Sequence, residues 1–482
     1  MGKKKQMRSE VKGNVKNSIG RIAFAALAVL LQIGWILILM IKLYQYSSVI
    51  SLLTSLFALV VALRIYGKHT NAAFKMPWII VILAFPVFGL CIYGLFGHKE
   101  AMHKIIRKFE DVDAQLIPLN VQDETILQQL EQEDPLLANQ CHYIWKYGNY
   151  PVYDTTAVKF YPEAYLGYEE QLKELEKAKH FIFLEYHAVE EAEAFARLKD
   201  VLARKAAEGV EVRILYDDVG CIGFLDKSFI DRMNAIGVQC RVFNYVVPFL
   251  NIFMNNRDHR KIMVIDGQIA FTGGVNLADE YINKIVRFGY WKDSGVRLDG
   301  PGAASLANIF LTFWKAKYPD EDLDAGCDLP AAVPVETDCL VQPFADTPVD
   351  REAVAKNVYL ELINQAQKRL YICTPYLILD NDLLSCLRLA AKRGVDVRIY
   401  TPGVPDKPTI YQLTRSYFPH LLRAGVKIYS YTPGFLHAKT WLVDDRIAAV
   451  GTVNLDYRSL YLHFENSVLI YGGAVLDDVR RD

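Results

Sequence analysis

The sequence predicts an α/β protein of two pseudo-symmetric halves in tandem, preceded by N-terminal transmembrane helices. Three observations predict it. Uncharged apolar stretches at 22–41, 43–63 and 76–96 open the chain, a strand–helix–strand order occurs twice after residue 135, and one charged pattern returns 178 residues after its first occurrence. A chain of 482 residues has room for several domains with large cores. The boundaries read as a membrane domain at 1–98, an amphipathic connecting segment at 99–134, a first half at 135–317, a linker at 318–345 and a second half at 346–482.

Each apolar stretch approaches the roughly 20 residues that a helix needs to cross the hydrocarbon core. A basic run (Lys3, Lys4, Lys5, Arg8, Lys12, Lys16, Arg21) precedes the first, but no small-residue cleavage site follows, so the stretches read as retained spans. Pro77, Pro86, Gly89 and Gly94 make the third stretch kinked or re-entrant. The N-terminus and the 64–75 loop together hold ten Lys and Arg, which places the N-terminus in the cytoplasm. Three full spans then leave the body outside, and a re-entrant stretch reverses that. In "KEAMHKIIRKFEDV", 99–112, Met102, Ile105, Ile106 and Phe109 share one helical stripe, which suits an interfacial helix on anionic lipid or packing on the body.

From residue 135 the pattern changes. "HFIFLEYHAV" reads as a strand, "EAFARLKDVLARKAAEGV" as an amphipathic helix ending at Gly209, and "EVRILYDD" as the next strand. "RLYICTPYLI", "DLLSCLRLAAKRGV" and "DVRIYTPG" repeat that order, and "AIGVQCRVFN" is echoed by "RAGVKIYSYT". Between the halves, "YPDEDLDAGCDLPAAVPVETD" is rich in acids and proline and reads as linker.

The charged pattern carries the chemistry. His259-x-Lys261-x4-Asp266-x6-Gly273-Gly274-x-Asn276 matches His437-x-Lys439-x4-Asp444-x6-Gly451-Thr452-x-Asn454 in register. On a strand, the period of two puts His259 and Lys261 on one face and leaves Arg260 on the other. Glycine on the next strand permits close backbone approach, and asparagine supplies an amide donor. Two such units around one point make a pocket for a phosphodiester. Lysines neutralise oxygen charge, one imidazole attacks phosphorus and the other protonates the leaving oxygen, with no metal or other cofactor required.

This paired pattern resembles the phospholipase D superfamily, whose members use a covalent phosphohistidine at the interface of two pseudo-symmetric halves, each a mixed sheet flanked by helices. Within it, "MPWIIVILAFPVFGLCIYGLFG", "TPYLILDNDLL" and "NLDYRSLYLHFEN" are similar to stretches of the bacterial cardiolipin synthases. The resemblance implies transfer of a phosphatidyl group from one phosphatidylglycerol to another, giving cardiolipin and glycerol, by a multi-pass protein of the bacterial cytoplasmic membrane. Hydrolysis or phosphatidylserine synthesis differs only in the acceptor, and a non-catalytic lipid-binding scaffold conflicts with two intact motifs. The resemblance implies His259 as nucleophile and His437 as general acid and base, although the near symmetry leaves that order open. It implies Lys261, Lys439, Asn276 and Asn454 as phosphate ligands. Asp293 in "WKDSGV" and Glu465 in "HFENSV" resemble carboxylates that orient the imidazoles, with Glu465, twenty-eight residues past His437, expected to serve that histidine. Asp266 and Asp444 complete the motif a strand's length away, which suits a supporting role. Two departures stand out: Thr452 where serine is common, and 22–41 as a span beyond the usual pair.

A net charge of −1 argues against nucleic acid as a partner, the bilayer is the expected partner surface, and oligomeric state is left open. Eight scattered cysteines form no CxxC pair, and the histidines show no metal-ligand spacing, so no metal site is expected. "NYVVPFLNIFMNN", 244–256, suits a lipid-facing lip or a buried strand. "YDDVG", 216–220, reads as a loop cap or headgroup ligand, and Tyr186, His187 and Tyr376 stand at matching strand ends. His463 and the other remaining histidines receive no role.

Overall fold

The computed structural model describes residues 48–97, 103–246, 252–317, 332–350 and 352–482, with helical positions at 20, 23–24, 26–35, 37–38 and 41–42. The 22–41 stretch is thus described in part, and 318–331 of the linker, with Cys327, lies outside the described residues. The chain divides into two units: a smaller one of 16–107 with 246–254, and a body of 108–245 and 255–482.

In the smaller unit the helix Ser48–Tyr66 is apolar along its length, and Leu52, Leu53, Leu56, Phe57, Val60 and Leu63 all stand exposed. The third apolar stretch forms two helices, Ala72–Ala84 and Pro86–Phe96. Pro86 has no N–H to continue the first helix and drives the residue before it out of helical space, so Phe85 sits at φ −135°, ψ 74°. The chain folds back tightly there: a Cβ on Gly89 would lie 2.5 Å from Ile82 Cα. At 13 and 11 residues these helices reach only about 20 and 17 Å, against a hydrocarbon core of about 30 Å. Among the described residues no helix is long and apolar enough to cross a membrane, so the expected transmembrane helices find no support there, and 22–41 is described only in part.

The helix His103–Leu116 buries Phe109, Val112 and Leu116, and Phe109 stacks on Phe464 at 5.4 Å, while Ile105 and Ile106 of the expected stripe are half-buried and Met102 lies outside the described residues. The first half contributes β1 (Ala157–Tyr161), β2 (Phe181–Tyr186), β3 (Glu211–Asp217), β4 (Gln239–Phe243), β6 (Lys261–Ile265), β7 (Ile269–Gly273) and β9 (Gly295–Asp299), in sheet order β1-β9-β7-β6-β2-β3-β4. The second contributes β10 (Leu340–Asp346), β11 (Arg369–Cys373), β12 (Asp396–Pro402), β13 (Lys427–Tyr431), β15 (Thr440–Val443), β16 (Ile447–Gly451) and β17 (His463–Tyr471), in order β10-β17-β16-β15-β11-β12-β13. Strand for strand the two sheets have the same order and the same directions, with β2-β3-β4 and β11-β12-β13 parallel and the rest antiparallel.

The helices Glu193–Ala207 and Asn381–Lys392 repeat as well, each followed by a glycine in the left-handed region, Gly209 at φ 91° and Gly394 at φ 97°. The central strands are apolar and buried on both faces, as sheets covered by helices require. Two boundaries move. Ile126, Leu127, Leu130, Leu137 and Val152 pack into the second half's core, so the first half begins near β1, and β10 claims 340–345 from the expected linker.

Candidate active site

Two short strands decide the site. β5 (Arg257–Asp258) leaves its own sheet and pairs with the start of β17, and β14 (Gly434–Leu436) pairs with β8 (Tyr290–Lys292) of the first half. The histidine after each short strand is stitched to the opposite half: His259 N–H donates to Phe464 O at 2.9 Å, and His437 N–H donates to Lys292 O at 2.7 Å. The next residue on each opposing strand is an acid. His259 Nδ1 lies 2.9 Å from Glu465 Oε2, and His437 Nδ1 lies 2.7 Å from Asp293 Oδ2. Sequence reading placed Glu465 on His437, within one half. The exchange of β5 and β14 crosses the pairs, so each imidazole is held by the other half's acid. Ser294 with Thr440 (2.9 Å) and Asn466 with Thr272 (2.8 Å) add hydrogen bonds across the same interface.

Burial, the dominant cause, pushes both imidazoles toward the neutral form, His259 well below the usual range and His437 to about 4. Burial opposes ionisation of Asp293 and Glu465, but their histidine partners hold both carboxylates below the ordinary range. A neutral imidazole facing an ionised carboxylate carries its proton on Nδ1, which leaves the Nε2 lone pair available. Charges of one half act on groups of the other: Lys261 lowers His437, and Asp293 raises Lys439. The lysines arise from the strand period. Both Nζ atoms donate to their own motif histidine's carbonyl, Lys261 to His259 O and Lys439 to His437 O. Lys439 Nζ also lies 2.9 Å from His437 Nδ1.

The small residues after each motif make room for the acids. A Cβ on Gly274 would lie 2.0 Å from Asp293 Oδ1, and one on Gly273 (φ 153°) 2.4 Å from Ser294 O. At the matching positions a Cβ on Gly451 would meet Asn466 O at 2.4 Å, while Thr452 donates its hydroxyl to Glu465 Oε2. Thr452 therefore adds a hydrogen bond that the first half lacks. Asn276 is spent inside the wall, accepting from Ala188 N–H at 3.1 Å and donating to Tyr281 OH at 2.8 Å. Asn454 is buried, and its amide oxygen has no partner among the described residues.

The motif aspartates are elsewhere. Asp266 and Asp444 stand at the far ends of β6 and β15 in the left-handed region, φ 53° and 52°. Asp266 accepts three backbone N–H groups, from Lys179, His180 and Phe181, each at 2.8 Å. Asp444 accepts the same set one repeat later, from Gln367 (2.7 Å), Lys368 (2.7 Å) and Arg369 (2.8 Å). Though they belong to the catalytic motif by sequence, they touch no imidazole and clamp the turn to the start of β2 and β11. Asp266→Ala is expected to destabilise the protein by about 2–4 kcal/mol, from three charge-assisted bonds lost beside exposed backbone. Thermal unfolding in detergent reads this, with turnover at permissive temperature staying within about threefold because the site is untouched.

Several residues join the site from outside the motifs. His187 Nδ1 lies 2.7 Å from Asp258 O, and its ring meets His259 edge-on at 5.0 Å. His463, given no role from sequence, has Nδ1 3.4 Å from Glu465 Oε1 and its ring 5.4 Å from His259. The internal repeat held the signal, since His463 precedes Glu465 by two residues as Trp291 precedes Asp293, and Trp291 lies 5.2 Å from His437. Tyr376 donates to Asp406 at 2.7 Å, and Tyr186 is buried. Asp217 of "YDDVG" is the cap alternative, bonded to Gly220 N–H and to buried Arg257. In the 244–256 segment, Asn244 donates to Asn256 O at 2.8 Å, and 247–251 lie outside the described residues.

The family described as cardiolipin synthase, PLD-like domain, matches residues 172–287 and 359–482, and the one described as phospholipase D-nuclease N-terminal matches 54–98. The chain is 42% identical over 408 residues to an uncharacterized protein of Streptococcus mutans, covering 84% of this chain and 88% of that one. It is 36% identical to a cardiolipin synthase of Alkalihalophilus pseudofirmus (88% and 84% covered) and 37% identical to one of Halalkalibacterium halodurans (87% and 84%). A phosphatidylserine synthase of Haemophilus influenzae shares the fold, with TM-score 0.53 at 19% identity over 67% of this chain and 84% of that one.

Proposed function

The chain belongs to the cardiolipin synthase family of phospholipase D-like enzymes, and from that premise we propose that it joins two phosphatidylglycerols into cardiolipin through a phosphohistidine. The observation that carries the reading is the crossed pair of buried His–carboxylate couples with a lysine beside each histidine. His259 Nε2 attacks phosphorus, the bond from phosphorus to the glycerol oxygen breaks, and that oxygen takes the Nε2 proton of His437, which enters this step as the imidazolium paired with Asp293 and the bound phosphate anion. A hydroxyl of the second phosphatidylglycerol then gives its proton to His437, its oxygen attacks phosphorus, and the P–N bond breaks to free His259. Lys261 and Lys439 neutralise the phosphoryl oxygens during both steps. The exposed apolar helix Ser48–Tyr66 supports attachment of the smaller unit to the bilayer that supplies both substrates. With headgroup-labelled phosphatidylglycerol, cardiolipin and free glycerol are expected in equal amounts. Phosphatidic acid as the sole lipid product overturns the synthase reading.

The lysines set the alkaline limb. Burial lowers Lys261 to about 8 and Lys439 to about 7. A lysine is charged below its pKa and loses that charge as pH rises through it. kcat/KM, which reports the free enzyme, is therefore expected to decline from about pH 7 upward through about pH 8. Lys439→Arg should carry its part of the limb upward by more than about one pH unit, because guanidinium does not deprotonate in this range, at a lower maximum rate.

A further inference from the structure

We propose that His259, His463 and Glu465 form an inhibitory site for a zinc-class divalent cation inside one catalytic half-site. Each offers a ligand atom, and those atoms lie within 4.8 Å of one another. Glu465 is fully buried and His463 nearly so, with 11% of its side chain exposed. Apart from their 3.4 Å contact with each other, Glu465 Oε1 and both ring nitrogens of His463 have no hydrogen-bond partner among the described residues. Buried donors left in that state carry a desolvation cost that a ligand would relieve.

Two imidazoles and a carboxylate are the donor set of an open tetrahedral zinc site, with a fourth position for water. The set is poor for magnesium or calcium, which take mostly oxygen ligands, and suits borderline ions such as zinc and cobalt. Zinc–nitrogen bonds of about 2.1 Å require the three groups to draw together by roughly 1 Å. Ligation needs a neutral imidazole and an ionised carboxylate, the forms that burial and pairing favour for His259 and Glu465.

The site exists on one side only. The repeat puts Trp291 where His463 stands, so the His437–Asp293 couple has an indole in place of a third ligand. Sequence spacing could not reveal the set, because His259 and Glu465 are 206 positions apart and meet only through the β5–β17 pairing. The consequence for the reaction rests on the function proposed above. A metal on Nε2 of His259 occupies the attacking lone pair, and a metal on Nδ1 replaces the proton donated to Glu465. Either way the nucleophile is withdrawn.

The test uses the full chain in detergent, stripped with EDTA and freed of chelator. Zinc chloride is titrated by calorimetry, and cobalt chloride is followed by its visible absorption. One equivalent of zinc, tetrahedral cobalt bands, and loss of cardiolipin formation in step with occupancy, restored by EDTA, are expected. His463→Asn should weaken binding and inhibition together by at least tenfold, while His437→Asn should still bind one equivalent. Zinc should also shield His259 and His463, but not His187, from diethyl pyrocarbonate in the wild-type protein, a readout that survives if His463→Asn fails to fold. Absence of stoichiometric binding, binding unchanged in His463→Asn, or binding without that shielding overturns the proposal. Binding by a chain that makes no cardiolipin would sink the functional reading and leave the metal site standing.

Discussion

Cardiolipin formation is expected to fall by roughly four orders of magnitude in both His259→Asn and His437→Asn, with the two variants failing at different steps. An activated donor separates them. A phosphatidyl ester of p-nitrophenol carries a leaving group that departs without a proton. In His437→Asn, His259 still attacks, one equivalent of nitrophenol is released, and the phosphatidyl group stays on His259 because no base activates the second alcohol. In His259→Asn neither burst nor adduct forms. The P–N bond is labile to acid and stable to base, so alkaline quenching and peptide mapping locate the adduct. An adduct on His437 would reverse the two roles without disturbing the geometry, since the pseudo-symmetry that crosses the acids also makes either imidazole a geometrically fit nucleophile.

The duplicated architecture was legible because it is written locally. Apolar strand runs, helix-ending glycines at 209 and 394, and the in-register motifs each recur, and both sheets follow from those repeats. The two His–Lys pairs were legible for the same reason: a strand's period of two brings them to one face. What sequence could not show depends on where short segments go in space. β5 has two residues and β14 has three, too few to announce a partner, yet their exchange decides which acid meets which histidine. His463 escaped for a related reason, since its importance comes from His259 across the interface. Asp266 and Asp444 are the opposite case, conspicuous charges whose distance from the histidines suits support and whose oxygens are consumed by backbone N–H groups. The third apolar stretch was legible differently, since Pro77, Pro86, Gly89 and Gly94 announce a kinked or re-entrant segment, and Pro86 with the close approach at Gly89 folds the chain back.

The crossed acids make the second large effect specific. Glu465→Gln removes the charge that fixes the proton on Nδ1 of His259, and Asp293→Asn does the same to His437. Each is expected to lower cardiolipin formation by roughly two to four orders of magnitude, the cost of a wrong tautomer on an unoriented imidazole. The natural reaction cannot tell them apart, but the nitrophenyl donor can. Its first step needs the nucleophile and no acid, so with the adduct on His259 the burst rate should collapse in Glu465→Gln and stay near wild type in Asp293→Asn. Had each acid served its own half, the pattern would be reversed. Adding His259→Asn to Glu465→Gln should cost little beyond His259→Asn alone, because a carboxylate that acts through one imidazole has nothing left to orient once that imidazole is gone. Thr452→Val provides a graded check, since it removes the hydroxyl bonded to Glu465 while keeping the carboxylate. A loss of about tenfold, confined to the burst step, follows if the second half's threonine serves the first half's histidine. An equal loss in burst and turnover after nitrophenol release would mean that the crossing in the structure does not carry through to the chemistry.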